Sequence, residues 1–115
     1  MLVRYVSNFT PMRAIAHPIR EQLSLPLVLH ALSDPVRLEI VRALEQAELS
    51  SGTLKVPVSK STLSHHLKVL RDAGLTQTRA QGVRRFVSLR REDIEARFPG
   101  LLGCVLELSQ RQPAS

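Results

Sequence analysis

The chain has 115 residues, 43% of them hydrophobic, 23% charged and 3% aromatic, which suits one globular domain and excludes a multidomain enzyme. Its apolar runs fall far short of the ~20 residues that cross a bilayer, and the N-terminus lacks the apolar core of a secretory signal, so a cytoplasmic protein with no membrane contact is expected. The net charge of +6 is concentrated: Lys55 to Arg91 carries nine basic residues against Asp72 alone, the rest holds seven basic and nine acidic, and such a field favours a polyanion as partner.

Residues 1–20 include Pro11 and Pro18, show no sustained period and have no acidic residue, which predicts a flexible arm. Arg4, Arg13 and Arg20 with scattered Ser and Thr share the composition of a transit peptide, but its amphipathic stripe is missing. The folded domain is expected over 21–112, with 113–115 as a tail. Ser24 can cap a helix whose first turn tolerates Pro26 and whose apolar positions are Leu25, Leu29 and Leu32, ending at Ser33. Asp34 caps a second helix with Pro35 at its first position. Its apolar face is Val36, Ile40, Val41 and Leu44, with Arg37, Glu39, Arg42 and Glu45 pointing outward.

Ser50-Ser51-Gly52 with Thr53 and Leu54 leaves room for about one helical turn before Pro57, which removes a backbone donor and restricts its neighbour. Ser59 caps the next helix, whose core face is Leu63, Leu67 and Leu70, and Gly74 ends it. The opposite face carries Lys60, Ser61, Ser64, His65, Lys68 and Arg71. Thr76, Thr78, Val83, Phe86 and Val87 then suit two short strands with a turn at Gln81-Gly82. Glu92 and Asp93 open a final helical region with apolar Ile94, Phe98, Leu101, Leu102, Val105 and Leu108, kinked or split at Pro99-Gly100. No internal repeat or low-complexity tract occurs. The fold class expected is α+β and mostly helical: a helix-turn-helix, a short β-hairpin wing and terminal helices that form a dimer.

A major groove about 12 Å wide admits one α-helix whose N-terminal side chains reach base edges. Ser59, Lys60, Ser61, Thr62, Ser64, His65 and Lys68 are placed for that role. Arg79, Gln81, Arg84 and Arg85 around the hairpin turn are placed for phosphates or the adjacent minor groove.

Two blocks, Ala31-Leu32-Ser33-Asp34-Pro35-Val36-Arg37-Leu38-Glu39-Ile40 and Ser61-Thr62-Leu63-Ser64-His65-His66-Leu67-Lys68-Val69-Leu70-Arg71-Asp72-Ala73-Gly74-Leu75, resemble the ArsR/SmtB winged helix-turn-helix regulators, a likeness that covers Leu23 to Leu89. The resemblance implies a homodimer that binds double-stranded operator DNA and is switched by a metal ion, another small effector or a co-regulator protein. Two family metal sites do not carry over. The stretch Glu48-Leu49-Ser50-Ser51-Gly52-Thr53 has no thiol where many members place a cysteine motif, and the last histidine is His66, so the final helix lacks imidazole ligands.

His65 and His66 are neighbours about 100° apart on a helix, so they do not share one ion. His65 is read as a groove-facing donor and His66 as a partly buried, hydrogen-bonded residue. His17 and His30 are the remaining imidazoles, and with carboxylates from a partner chain they would suit Ni²⁺ or Zn²⁺. Cys104, the one cysteine, forms no intramolecular disulfide and, among Leu101, Leu102, Val105 and Leu106, is read as a small apolar filler. No carboxylate pair, Gly-rich phosphate loop or Ser/His/Asp pattern supports an enzyme. Two rival readings remain: a winged helix that binds an acidic protein, for which large apolar anchors on the basic helix are missing, and a general architectural DNA-binding protein, which random DNA would compete away from any specific site. A domain this small also gains stability from a second copy.

Overall fold

The computed structural model describes residues 15–111. Helix α1 (Leu25–Ala31) begins at Ser24, whose Oγ accepts the Leu27 N–H at 3.4 Å, with Pro26 in the first turn. Its inward side is Val28 and Ala31, with Leu32 just beyond. Leu25 and Leu29, expected on that side, are 43% and 45% exposed. Helix α2 (Pro35–Leu44) starts at Asp34, whose Oδ2 accepts the N–H groups of Val36 at 2.8 Å and Arg37 at 3.1 Å. Ile40, Val41 and Leu44 enter the core as the periodicity requires.

Arg37 corrects the expectation that it points outward: it is only 7% exposed. Its Nε donates to the Ala31 carbonyl at 2.7 Å, Nη2 to the His30 carbonyl at 3.2 Å and Nη1 to His66 Nδ1 at 3.0 Å. The cause lies in helix ends, where the last carbonyls lack intrahelical donors. A guanidinium supplies several donors in one plane and joins the end of α1 to the middle of the helix that follows the turn.

A strand β1 (Leu49–Ser50) and one 3-10 turn (Ser51–Thr53) lead towards helix α3 (Lys60–Asp72). Ser59 Oγ accepts the Thr62 N–H at 3.2 Å, and the buried face of α3 is His66, Leu67 and Leu70, with Leu63 half-buried. His66 is therefore internal, as expected. Gly74 follows with φ +85°, and a side chain there would strike Leu23.

Strands β2 (Thr76–Gln81) and β3 (Arg84–Leu89) form the hairpin. Gln81 pairs with Arg84, so the loop is Gly82-Val83, one residue later than expected, and Gly82 takes φ +63°. The sheet has three strands, not two, in the order β1-β3-β2, because Leu49 pairs with Val87 and Ser50 with Phe86. A two-residue strand is too short to show a period of two.

Helices α4 (Arg91–Arg97) and α5 (Leu101–Arg111) are split at Phe98 to Gly100, and Gly100 has φ +83°. Ile94, Leu102 and Leu106 complete the core. The apolar stripe assigned to a partner surface is thus partly used internally: Leu102 is buried, Leu101 and Val105 are half-buried, and Leu108 remains 59% exposed. Cys104 is exposed and not a core filler, because the inward line of α5 runs through Leu102 and Leu106 and leaves position 104 outside.

The segment expected as a free arm lies against the domain from Ile15 onward; positions 1–14 are outside the described residues. Pro18 O accepts from Arg90 Nη1 at 2.7 Å, a 3-10 turn covers Arg20–Gln22, and Arg20 Nε donates to Asp93 Oδ1 at 2.7 Å. Asp93 also accepts from Arg90 at 2.9 Å. Those bonds from Arg20 and then Arg90, against the opposing effect of burial, hold its carboxyl below the usual range. Asp93 therefore anchors the N-terminal segment in addition to standing in the first turn of α4.

Candidate nucleic-acid interface

Helix α3 presents Lys60, Ser61, Thr62, Ser64, His65 and Lys68 to solvent, while Leu67 and Leu70 hold its other side in the core. Positions 60, 64, 68 and 71 recur every three or four residues and form a stripe on the side facing the hairpin. Strand alternation explains the matching side of the wing. Thr78 and Val87 are opposite each other and buried, so Arg85, two residues before Val87, shares their face and reaches beyond the core. Arg84 and Arg79 belong to the opposite face.

Between α3 and the hairpin lies a groove of about 510 Å³ whose walls include Lys60, Ser64, Lys68, Arg71 and Arg85, with Leu63, Leu67 and Val87 beneath them. Arg71 Nε is buried and has no hydrogen-bond partner among the described residues. The periodicity of α3 had placed Arg71 on this face without giving it a role. Its spacing from Lys60, Ser64 and Lys68 is the signal that assigns it to the groove wall.

Several candidate side chains are already engaged within the protein. Ser59 is occupied as the helix cap and lies 3.0 Å from Thr62 Oγ1. Lys68 Nζ meets Asp72 Oδ2 at 2.7 Å, an exposed pair one turn apart whose hold on either side chain is modest. Arg79 donates to both carboxylate oxygens of Glu48, at 3.1 and 2.9 Å, and to Gln81 Oε1 at 2.7 Å. Bonds from Arg79 hold the Glu48 carboxyl below its usual range. Arg84 and Arg85 are exposed at the wing. The contacts of Glu48 and Phe86 with Arg79 have no signal in the sequence, because Arg79 is on another strand.

His17 is placed differently from an exposed arm histidine. In a two-residue hairpin the pair Thr78–Val87 does not exchange backbone bonds, so the Thr78 N–H faces away from β3. His17 Nε2 accepts it at 3.0 Å and so covers an edge donor of β2. Burial first, then the charges of Arg71 and Arg90, hold the imidazole below its ordinary pKa of 6.5, against a backbone bond at Ile15 that raises it. His30 lies exposed on α1, with its carbonyl taken by Arg37. Among the described residues no group of three or more His, Cys, Asp or Glu side chains is arranged to hold a metal ion.

A protonated Nε2 cannot accept, and a depressed folded pKa means that the contact is complete above about pH 6.5 and lost as the pH falls through the lower folded value. The protection factor of the Thr78 amide in hydrogen exchange is expected to fall over that acidic range and to be low at all pH values in His17→Ala. Equal protection in the parent and the variant would show that another group satisfies Thr78.

No helix of the described residues is long and apolar enough to cross a membrane. A helix-turn-helix domain model matches residues 32–79. The chain is 39% identical over 99 residues to the uncharacterized HTH-type transcriptional regulator YceK of Bacillus subtilis (strain 168), covering 83% of this chain and 94% of that protein. It is 40% identical over 73 residues to the arsenical resistance operon repressor of Staphylococcus xylosus, covering 62% of this chain and 70% of that one. Among solved structures it resembles the homodimeric winged helix-turn-helix DNA-binding domain of a possible ArsR-family regulator from Mycobacterium bovis, with a TM-score of 0.60 and 26% identity over 79% of this chain and 87% of that one. With a capped basic helix set beside a β-hairpin wing, and relatives that are regulators and not enzymes, the chain belongs to the ArsR family of winged helix-turn-helix transcriptional regulators.

Proposed function

We propose that the protein binds a two-fold symmetric operator as a homodimer, with α3 of each protomer in the major groove and the wing against the adjacent backbone. The observation that carries this reading is the exposed N-terminal half of α3, with Ser61, Thr62, Ser64 and His65, standing beside a groove walled by Lys60, Arg71 and Arg85. Small polar side chains at that end exchange hydrogen bonds with base edges, while the cations neutralise phosphates. Dimerisation is supported by Leu25 and Leu29 on α1 and Leu108 on α5, large apolar side chains left in water, and by the homodimeric state named for the Mycobacterium bovis domain.

The test compares helix variants with a wing variant. Alanine at Ser64 or His65 is expected to reduce preference for the operator by ~1–3 kcal/mol while sparing most affinity for unrelated DNA. Arg85→Ala is expected to weaken binding to all sequences alike and to lower the slope of log affinity against log salt by about one. If the helix variants keep full operator preference while Arg85→Ala loses it, α3 is not the reader.

A further inference from the structure

The wing joins the rest of the domain through a narrow root. Strand β1 contributes only two paired positions, Leu49 with Val87 and Ser50 with Phe86, and it is this strand that leads into the turn before α3. One side-chain contact spans the whole sheet at that level. Arg79 on β2 lies with its guanidinium carbon 4.6 Å from the ring centroid of Phe86, its direct partner on β3. Beyond that ring it reaches Glu48, the residue before β1, with two parallel bonds of 3.1 and 2.9 Å. Its remaining nitrogen, Nη1, bonds Gln81 near the hairpin loop at 2.7 Å.

We infer that Arg79, stacked on Phe86 and clasped by Glu48, is a positioning residue that fixes the angle of the wing relative to α3, and that it is not itself a phosphate contact. All three guanidinium nitrogens already donate, one face of the plane is against an aromatic ring, and the paired carboxylate cancels the charge that a phosphate would seek. A backbone phosphate arriving there would also meet the Glu48 oxygens. Only an arginine fits this post: planar, bidentate and stacking, where a lysine would offer a point charge with none of that geometry. The wing's net positive charge is carried by Arg84 and Arg85, whose aim depends on the root being held.

The inference rests on the DNA-binding reading above, and binding to a mixed-sequence DNA duplex across a range of salt concentrations tests it. Arg79→Ala, Arg79→Lys and Glu48→Gln are each expected to bind severalfold more weakly, with the thermal midpoint and the salt slope both as in the parent. Exposed ion pairs contribute little to stability, so folding is not the readout. Arg85→Ala, by contrast, lowers the slope by about one. A slope lowered by about one in Arg79→Ala, parental binding by Arg79→Lys, or unchanged or tighter binding by Glu48→Gln would each overturn the inference, because a direct phosphate contact keeps its charge in lysine and is released by loss of Glu48. A parent protein without any salt-dependent DNA binding would remove the DNA-binding reading and this inference together, whereas the variant outcomes overturn this inference alone.

Discussion

Replacing Arg37 with alanine is expected to destabilise the protein by about 3 kcal/mol or more, read as a lowered midpoint in urea denaturation, which is a large share of the ~5–15 kcal/mol typical of a domain. Two acceptors lose their donor, the Ala31 carbonyl and His66 Nδ1, while the His30 carbonyl gives up one bond and keeps those from the Ser33 N–H and Oγ. Each group left buried without a partner costs ~1–3 kcal/mol, more than the same bond is worth when made. An arginine only donates, so His66 Nδ1 is the acceptor and the ring proton sits on Nε2, 3.9 Å from Asp34 Oδ2.

Asp34 is tied into the same network. Burial opposes its ionisation, but the backbone N–H groups of Arg37 and Val36, with the charge of the Arg37 guanidinium, bring its carboxyl below the ordinary value of 3.8. Its contribution to stability is present above that value and is lost as the pH falls through the folded one. Because the cluster links the end of α1, the start of α2 and the middle of α3, Arg37→Met should lose stability nearly as severely, since it retains the apolar stem but not the bonds. A cost below about 1 kcal/mol in both variants would show that water replaces the guanidinium without penalty.

The second large effect concerns assembly. Leu29→Glu combined with Leu108→Glu is expected to convert the proposed dimer to a monomer in sedimentation at micromolar concentration and to leave the fold intact, because both side chains already face solvent in the single chain, at 45% and 59% exposure. Operator affinity should fall about 100-fold or more, since the second half-site no longer binds as an intramolecular event. The salt slope should drop by about half with the number of phosphates engaged. A double variant that still sediments as a dimer would remove these leucines from the interface.

What was legible in the sequence is what is decided within a few residues. Ser24, Asp34 and Ser59 cap helices that begin where their side chains meet backbone N–H groups two or three positions on, and Gly74 ends α3 because that backbone turn disfavours a side chain. The basic stripe of α3 and the hairpin were visible for the same reason: periods of 3.6 and 2 are local properties, and side-chain identity reports them directly.

The tertiary structure alone decided the contacts whose two halves lie far apart in the chain. Arg37 reads as a surface residue by period, but its partner His66 is 29 positions away; the pairing of Arg79 with Glu48 spans 31 positions; His17 reads as part of an arm, but Thr78 is 61 positions away. The same is true of β1, which exists only because Val87 and Phe86 pair with it, and of Leu25 and Leu29, which match a helical period yet remain outside because Val28 and Ala31 fill the space available. Periodicity shows which side chains share a face. Which face is covered, and which charge is already paired, is settled only when distant segments compete for the same volume and the same donors.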